Sequence, residues 1–133
     1  MTDREIRILI DGGIDAQAAL SRLMGKEKIY LKYLYRFAED KNCVLFLEAV
    51  RNQDAEAAFR AVHTLKGTAA GIGAVCVSET ADRLTEYLRP IRSLDPDLTA
   101  VLPEAKRLQE EISEACRAVE RLKNLKAAES SGK

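Results

Sequence analysis

The sequence predicts an all-α protein: an antiparallel four-helix bundle with an additional short N-terminal helix. Apolar residues recur at intervals of three and four along most of the chain, which is the helical period, and no segment alternates as a strand does. Glycine and proline fall between these periodic segments, where they end helices. With 133 residues, 47% of them hydrophobic, the chain is long enough to bury a core.

The N-terminal segments are short. Residues 1–12 are rich in isoleucine and leucine and end at a glycine turn, so they form either a short helix or an extended arm. Asp15 is suited to cap a short helix that runs through Met24, and Gly25 ends it. This helix is predicted to cover one end of the bundle.

Four longer segments supply the predicted bundle, at about residues 26–40, 43–72, 74–89 and 100–125. The second of these breaks near residue 52. In the first, an apolar stripe is expected to pack in the core with its tyrosine hydroxyls at the surface; it consists of Tyr30, Tyr33, Leu34 and Phe37. We therefore expect one domain over residues 1–126 and a frayed tail over residues 127–133.

Composition excludes several classes of function. The 21 basic and 21 acidic residues balance, so no basic face for nucleic acid is expected, and no apolar run approaches the roughly 18 residues of a membrane span. The first residues are polar, unlike a signal peptide. Cys43, Cys76 and Cys116 are odd in number and widely spaced, which indicates reduced, partly buried thiols in a cytoplasmic protein. We expect a monomer.

The functional signal is concentrated in residues 62–73. This segment contains the single histidine of the chain, His63, and three of its seven glycines. On a helical wheel, Gly67 lies about 40° from His63 and Lys66 about 60° away on the other side. The apolar residues of the segment fall on the opposite half, so His63 is predicted to face solvent.

The chemistry of these residues is narrow. A neutral imidazole is a good nucleophile near neutral pH, and Lys66 one turn later supplies a charge that suits a phosphoryl group. Gly67 leaves the approach to the ring open. Two simpler interpretations remain: His63 is an ordinary surface histidine, or Gly67 and Gly71 form a notch for helix packing.

The pattern His63-x-x-Lys66-Gly67, followed by small residues, Gly73 and an amphipathic helix, resembles the histidine-containing phosphotransfer (HPt) domain family. The resemblance spans about residues 13–125. It implies that His63 accepts and donates a phosphoryl group, that Lys66 steadies this group, and that Gly67 gives the partner room. Many members carry a glutamine on the next helix that hydrogen-bonds the histidine, and Thr85 occupies the matching position here.

The resemblance also implies partners. These are a response-regulator receiver domain, a hybrid sensor histidine kinase, or both, and the receiver would bring its own aspartate and Mg²⁺. The chain itself has no nucleotide-binding loop, so we expect no cofactor of its own and no kinase activity. Two alternatives stay open: a phosphoacceptor domain cut from a larger sensor or chemotaxis kinase, and a helical adaptor whose histidine is incidental.

A docking face follows from the same wheel. Phe59 precedes His63 by four residues and falls on the half predicted to be exposed, together with Ala70, Gly67 and Gly71. We expect these residues to form a shallow apolar patch on which the receiver docks, with Phe59 as its anchor.

Overall fold

The computed structural model describes residues 1–131, which form helices joined by short turns. The helices are α1 (Asp3–Asp11), α2 (Ala16–Arg22), α3 (Glu27–Ala38), α4 (Asn42–Arg51), α5 (Ala55–Ile72), α6 (Val75–Leu88) and α7 (Leu102–Ser131). A 3₁₀ turn at Thr99–Val101 precedes α7. Residues 1–131 contain no strand, only an isolated antiparallel bridge between Ile14 and Ala74. The predicted all-α bundle is confirmed.

The predicted break near residue 52 is confirmed, but the chain reverses direction there, so the grouping of α4 and α5 as one member of the bundle was wrong. The two helices pack side by side as a hairpin. Gln53 has a left-handed backbone (φ +57°), and the N–H of Asp54 donates to the carbonyl of Ala49, which closes the turn. The Asp54 carboxylate then caps α5 by accepting from the N–H of Ala57 at 3.1 Å.

We call each of the four positions around the axis of the bundle a column. Helices α3 and α4 share one column. Helix α3 packs against the C-terminal half of α5, and α4 packs against the N-terminal half. Helices α5, α6 and α7 supply the other columns, and α7 contacts both α3 and α4 to close the ring. The bend at Glu39–Lys41, rather than the turn near residue 52, divides a single column.

Tyr30 fastens α3 to the end of α5. Its hydroxyl is buried and donates to the carbonyl of Ile72 at 2.8 Å. The prediction that the tyrosine hydroxyls reach the surface is wrong for this residue, because the carbonyl at the end of α5 supplies a buried partner. Tyr33 departs from the predicted core stripe in the other direction and is 42% exposed.

The N-terminal residues form a helix, α1, rather than an extended arm. Thr2 and Glu5 make a reciprocal capping box at its start. Glu5 is 2% exposed and pairs with Lys126 of α7 at 2.9 Å. The same ammonium contacts Glu27 at 3.2 Å, and Glu27 also accepts from the amino group of Met1 at 3.0 Å. This charged cluster holds α1, α3 and α7 together.

Helix α2 is attached to the junction between α5 and α6. Gly73 has a left-handed backbone (φ +81°), and a Cβ there would collide with the carbonyl oxygen of Asp15. The N–H of Asp15 donates to the carbonyl of Gly73 at 2.7 Å, and its carboxylate caps α2 as predicted. Only glycine fits both the backbone angle and the close approach.

The core draws on every helix, from Ile8 to Leu122. Helix α7 begins at Leu102, close to the predicted start near residue 100, and continues to Ser131. Residues 127–131 of the predicted frayed tail are thus helical, and residues 132–133 lie outside the described part. The domain boundary at 126 stays a prediction. Among residues 1–131, no helix is long and apolar enough to cross a membrane.

Candidate functional site

Helix α5 presents His63 to solvent and buries its opposite face, as the wheel predicted. The His63 residue is exposed to solvent. The buried face packs against α4 and α6; its residues are Ala58, Ala61, Val62, Leu65, Ala69 and Ile72. No hydrogen bond to the His63 ring occurs among residues 1–131, so neither ring nitrogen is occupied by a protein partner there.

Phe59 is not the exposed anchor that the sequence predicted. It is only 4% exposed, although it lies on the same side of α5 as His63. The two rings are stacked, with centroids 5.6 Å apart and planes 5° from parallel. A buried ring offers little surface to a partner, so the assignment of Phe59 as a docking anchor was wrong.

Two arginines lie against the Phe59 ring. The guanidinium carbon of Arg92 lies 4.2 Å from the centroid of the Phe59 ring, and that of Arg89 lies 5.3 Å away. Both distances are within the range of a cation–π contact. Arg92 also approaches Glu56 of α5 at 3.8 Å, and Arg89 pairs with Glu86 at 3.2 Å. The end of α6 and the following loop therefore cover the ring.

Lys66 is held in an ion pair that the sequence did not predict. Its Nζ lies 2.8 Å from Oδ1 of Asp82 on α6. The lysine side chain is 35% exposed and the aspartate 50%, so the pair is open to solvent and worth less than about 1 kcal/mol.

The glycines leave a bare strip of backbone beside the histidine. A Cβ built on Gly67 or Gly71 would meet no atom of a neighbouring element within 4 Å. Ala70 between them is exposed, and its carbonyl accepts from the guanidinium of Arg22 at 2.9 Å. The interpretation of the glycines as a notch filled by this domain's own helices is therefore excluded.

Thr85 does not reach the site. It is fully buried, and its hydroxyl donates to the carbonyl of Ala81 within α6 at 2.7 Å. Thr85 lies on the apolar stripe of α6 that packs into the core, which explains why it is turned away from solvent. Its assignment as a partner-binding residue was wrong, and α6 contributes Asp82 to the site instead.

A groove continues from the glycine strip across α2 and α3. It has a volume of about 490 Å³, and its lining includes Tyr33, Phe37, Thr68, Gly71 and Ile72. Tyr33 lines this groove and is half-exposed, so it does not belong to the buried stripe that the sequence predicted. Arg22, Arg36 and Asp40 lie at the same groove. The sequence predicted the strip but not this groove, because α2 and α3 are distant from it in the chain.

The thiols form no metal site. All three cysteines are free; Cys43 is buried, Cys116 is partly buried and Cys76 is exposed, so the expected partial burial fails for Cys76. Burial raises the pKa of the Cys43 thiol to about 11 and also raises that of Cys116. Within residues 1–131, no group of acidic, cysteine and histidine side chains is arranged to hold a metal ion.

The fold and site together define a helical bundle that presents one nucleophilic imidazole beside a lysine and a bare backbone. Residues 40–123 match the family model described as the Hpt domain, and the chain belongs to that family. Membership indicates a histidine phosphotransfer role in a phosphorelay. No curated protein and no solved structure shows significant similarity to this chain.

Proposed function

We propose that this protein carries a phosphoryl group on His63 and exchanges it with an aspartate of a response-regulator receiver domain. The observation that carries the proposal is the exposed imidazole of His63 beside the open backbone at Gly67. The family match supplies the reaction class. The helical-adaptor alternative has no specific observation in its favour.

The chemical step is a displacement at phosphorus. A lone pair on a ring nitrogen of His63 forms the N–P bond while the P–O bond to the receiver's aspartate breaks, and the electron pair of that bond stays on the aspartyl carboxylate. A nucleophile for this step must be uncharged and unblocked at the attacking nitrogen. The His63 ring meets the second condition, because residues 1–131 supply it with no hydrogen bond.

Lys66 would bind the transferred group after leaving its pair with Asp82. Lys66 follows His63 by three residues on α5, and side chains at i and i+3 of a helix are neighbours. We infer that it swings from Asp82 toward the phosphoryl oxygens once His63 is modified. Since the pair with Asp82 is exposed and weak, the exchange requires little energy.

The receiver would dock on the strip formed by Gly67, Ala70 and Gly71. The open space above both glycines allows a partner's backbone to approach α5 closely. The adjoining groove at Tyr33 and Phe37 extends this surface toward α3 with mainly apolar side chains. A partner that covers the strip and the groove would exclude water from the transfer.

The remaining partner assignments are part of the same proposal. The receiver would supply Mg²⁺ along with its aspartate, and this chain would add no cofactor. A hybrid sensor kinase is the proposed upstream donor, nucleic acid is not a partner, and the protein acts as a monomer in the cytoplasm. Whether it works alone or within a larger kinase changes the donor but not the role of His63.

The test is transfer of label from a phosphorylated receiver. Purified protein is incubated with a receiver domain carrying labelled phosphate, and the product is treated with acid and with base. We expect label that is lost in acid and kept in base, as a phosphoramidate requires, and none on His63→Gln. The variant should unfold at the same temperature as the natural protein, because an exposed side chain contributes little stability.

Label retained by His63→Gln would place the acceptor elsewhere and refute the proposal. Absence of label on the natural protein, with several receivers and with a histidine kinase as donor, would favour the helical adaptor. A Thr64→Ala variant serves as the matched control. Thr64 is exposed next to His63 and bonds only to the carbonyl of Arg60, so this variant should accept label normally.

A further inference from the structure

The His63 ring is stacked on a buried aromatic ring instead of being hydrogen-bonded at a nitrogen. Phe59 lies one turn earlier on α5, and its ring is parallel to the imidazole within 5°. The centroid separation of 5.6 Å is within the range of offset-stacked aromatic pairs. An exposed histidine without such a neighbour would sample several rotamers on the helix surface.

Phe59 is itself immobilised. It is 4% exposed, and Arg92 and Arg89 approach its ring from the end of α6 and the loop beyond it. Glu56 in the first turn of α5 approaches Arg92, so this arginine also contacts α5. The Phe59 ring is thus held by its own helix, α5, and by the two arginines at the end of α6 and in the loop that follows it.

We propose that Phe59 is a positioning residue that holds the His63 ring by its face and leaves both ring nitrogens free for reaction. This inference rests on the proposed function. The hydroxyl of Thr85 donates to the carbonyl of Ala81 and not to the His63 ring, so the stacking on Phe59 is the contact that orients this ring. We call the ring of Phe59 together with Arg89 and Arg92 the aromatic shelf.

The shelf has a specific consequence for transfer. A ring held by a hydrogen bond has one nitrogen committed, whereas a ring held by stacking through its face keeps both nitrogens open to a partner. Phosphoryl transfer depends strongly on alignment of the attacking atom, and small misplacements slow such reactions by large factors. Loss of the shelf should therefore slow the chemical step without weakening receiver docking, because Phe59 is too buried to touch the partner.

The first measurement uses the natural, unmodified protein and does not depend on any phosphorelay. Nuclear Overhauser contacts should join the ring protons of His63 and Phe59, and the His63 ring-proton resonances should be displaced by the ring current of Phe59. In Phe59→Leu the displacement should disappear, and in Phe59→Tyr it should remain. Absence of the contacts and of the displacement in the natural protein would refute the shelf, whatever the transfer assay shows.

The second measurement separates kcat from KM for transfer from a phosphorylated receiver. Phe59→Leu should lower kcat by roughly tenfold or more with KM unchanged, and Phe59→Tyr should restore it. Phe46→Leu makes the same change at a fully buried phenylalanine of α4 and controls for lost packing. Melting curves for all three variants identify any that are unfolded at the assay temperature.

The outcomes are distinguishable. Equal losses of kcat in Phe59→Leu and Phe46→Leu would show that Phe59 acts only through stability and would overturn the proposal. A rise in KM alone would return Phe59 to the docking surface and would also overturn it. If the natural protein accepts no phosphoryl group but shows the ring contacts, the proposed function fails and the stacked geometry stands.

Discussion

Substitution of Gly67 separates helix stability from partner access. Glycine in a helix interior is less favourable than alanine by about 1 kcal/mol. A Cβ at Gly67 would meet no neighbouring element within 4 Å, so Gly67→Ala adds helix propensity without a steric penalty. We expect the free energy of unfolding to rise by about 1 kcal/mol, which raises Tm by roughly 3 °C for a domain of this size.

Gly73→Ala is the matched control, because it makes the same chemical change at the end of the same helix. There the backbone is left-handed (φ +81°) and a Cβ would strike the carbonyl of Asp15. The left-handed conformation alone costs an alanine about 1 kcal/mol or more. Urea unfolding should therefore show opposite signs for the two variants. Destabilisation by Gly67→Ala would show that the space beside Gly67 is occupied and would refute the open strip.

Gly67→Gln extends the experiment to function. The longer side chain projects into the same open space, so the fold should stay as stable as that of Gly67→Ala to within about 0.5 kcal/mol. Transfer from the receiver should fall, chiefly through a higher KM, because the partner's backbone can no longer approach α5. Unchanged KM in a stable Gly67→Gln protein would mean that the receiver docks elsewhere.

Two further predictions concern ion pairs. Asp82→Asn should change the free energy of unfolding by less than about 1 kcal/mol, and it should slow hydrolysis of the phosphohistidine because it frees Lys66. Lys66→Ala should slow transfer. Unchanged rates of hydrolysis and transfer in these two variants would exclude Lys66 from the site. Lys126→Met should lose more stability at about pH 7 than at about pH 3. Only at the higher pH does it leave a charged Glu5 without its cation and a charged Glu27 with the amino group of Met1 alone. Equal losses in urea unfolding at the two pH values would contradict this.

The sign of that pH dependence follows from the lowered carboxyl pKa values. Burial opposes ionisation of Glu5, but hydrogen bonds from Lys126 and Thr2 outweigh it, so its pKa lies below the usual value. The bond from the amino group of Met1 acts against burial to lower the pKa of Glu27. A depressed carboxyl pKa stabilises the fold above the ordinary value near 4.5, and this stabilisation is lost as the pH falls through the folded value.

The helical period and the glycines were sufficient to predict much of the site. The wheel placed His63 and the strip at Gly67, Ala70 and Gly71 on the solvent side of α5, since the apolar face opposite them is long and unbroken. The residue type at position 15 also predicted the cap at Asp15, which depends only on residues nearby in the chain. Local patterns predict local structure well.

The errors concern what comes from other helices. A wheel gives the direction of Phe59 from α5 but cannot show that Arg89 and Arg92, some thirty residues later, cover it. The same limit explains the choice of Thr85 on α6 over Asp82, which lies one turn earlier and reaches Lys66. Asp82 precedes Thr85, the expected contact, by three residues, and this spacing could have identified the ion pair with Lys66.

The turn near residue 52 shows a different limit. Asn52-Gln53-Asp54 contains no glycine or proline, so the sequence offered no reason to predict a reversal rather than an interruption of one helix. Gln53 adopts a left-handed backbone and accepts a hydrogen bond from the N–H of Leu98 at 2.8 Å. That bond to a distant loop helps to hold a conformation that local preferences do not favour.

The junction of Asp15 with Gly73 bears on where this protein can be divided. The region matched by the family model begins at residue 40, yet Tyr30, Leu34 and Ile14 upstream of it are fully buried against the rest of the core. A fragment that begins at residue 40 would expose the apolar surface that these residues cover and leave the carbonyls of Gly73 and Ile72 without their donors. The recognisable motif is therefore smaller than the unit that shares one hydrophobic core. Proteolysis that removes α1–α3 should accelerate unfolding of the histidine helix, even though every residue of the proposed transfer chemistry survives the cut.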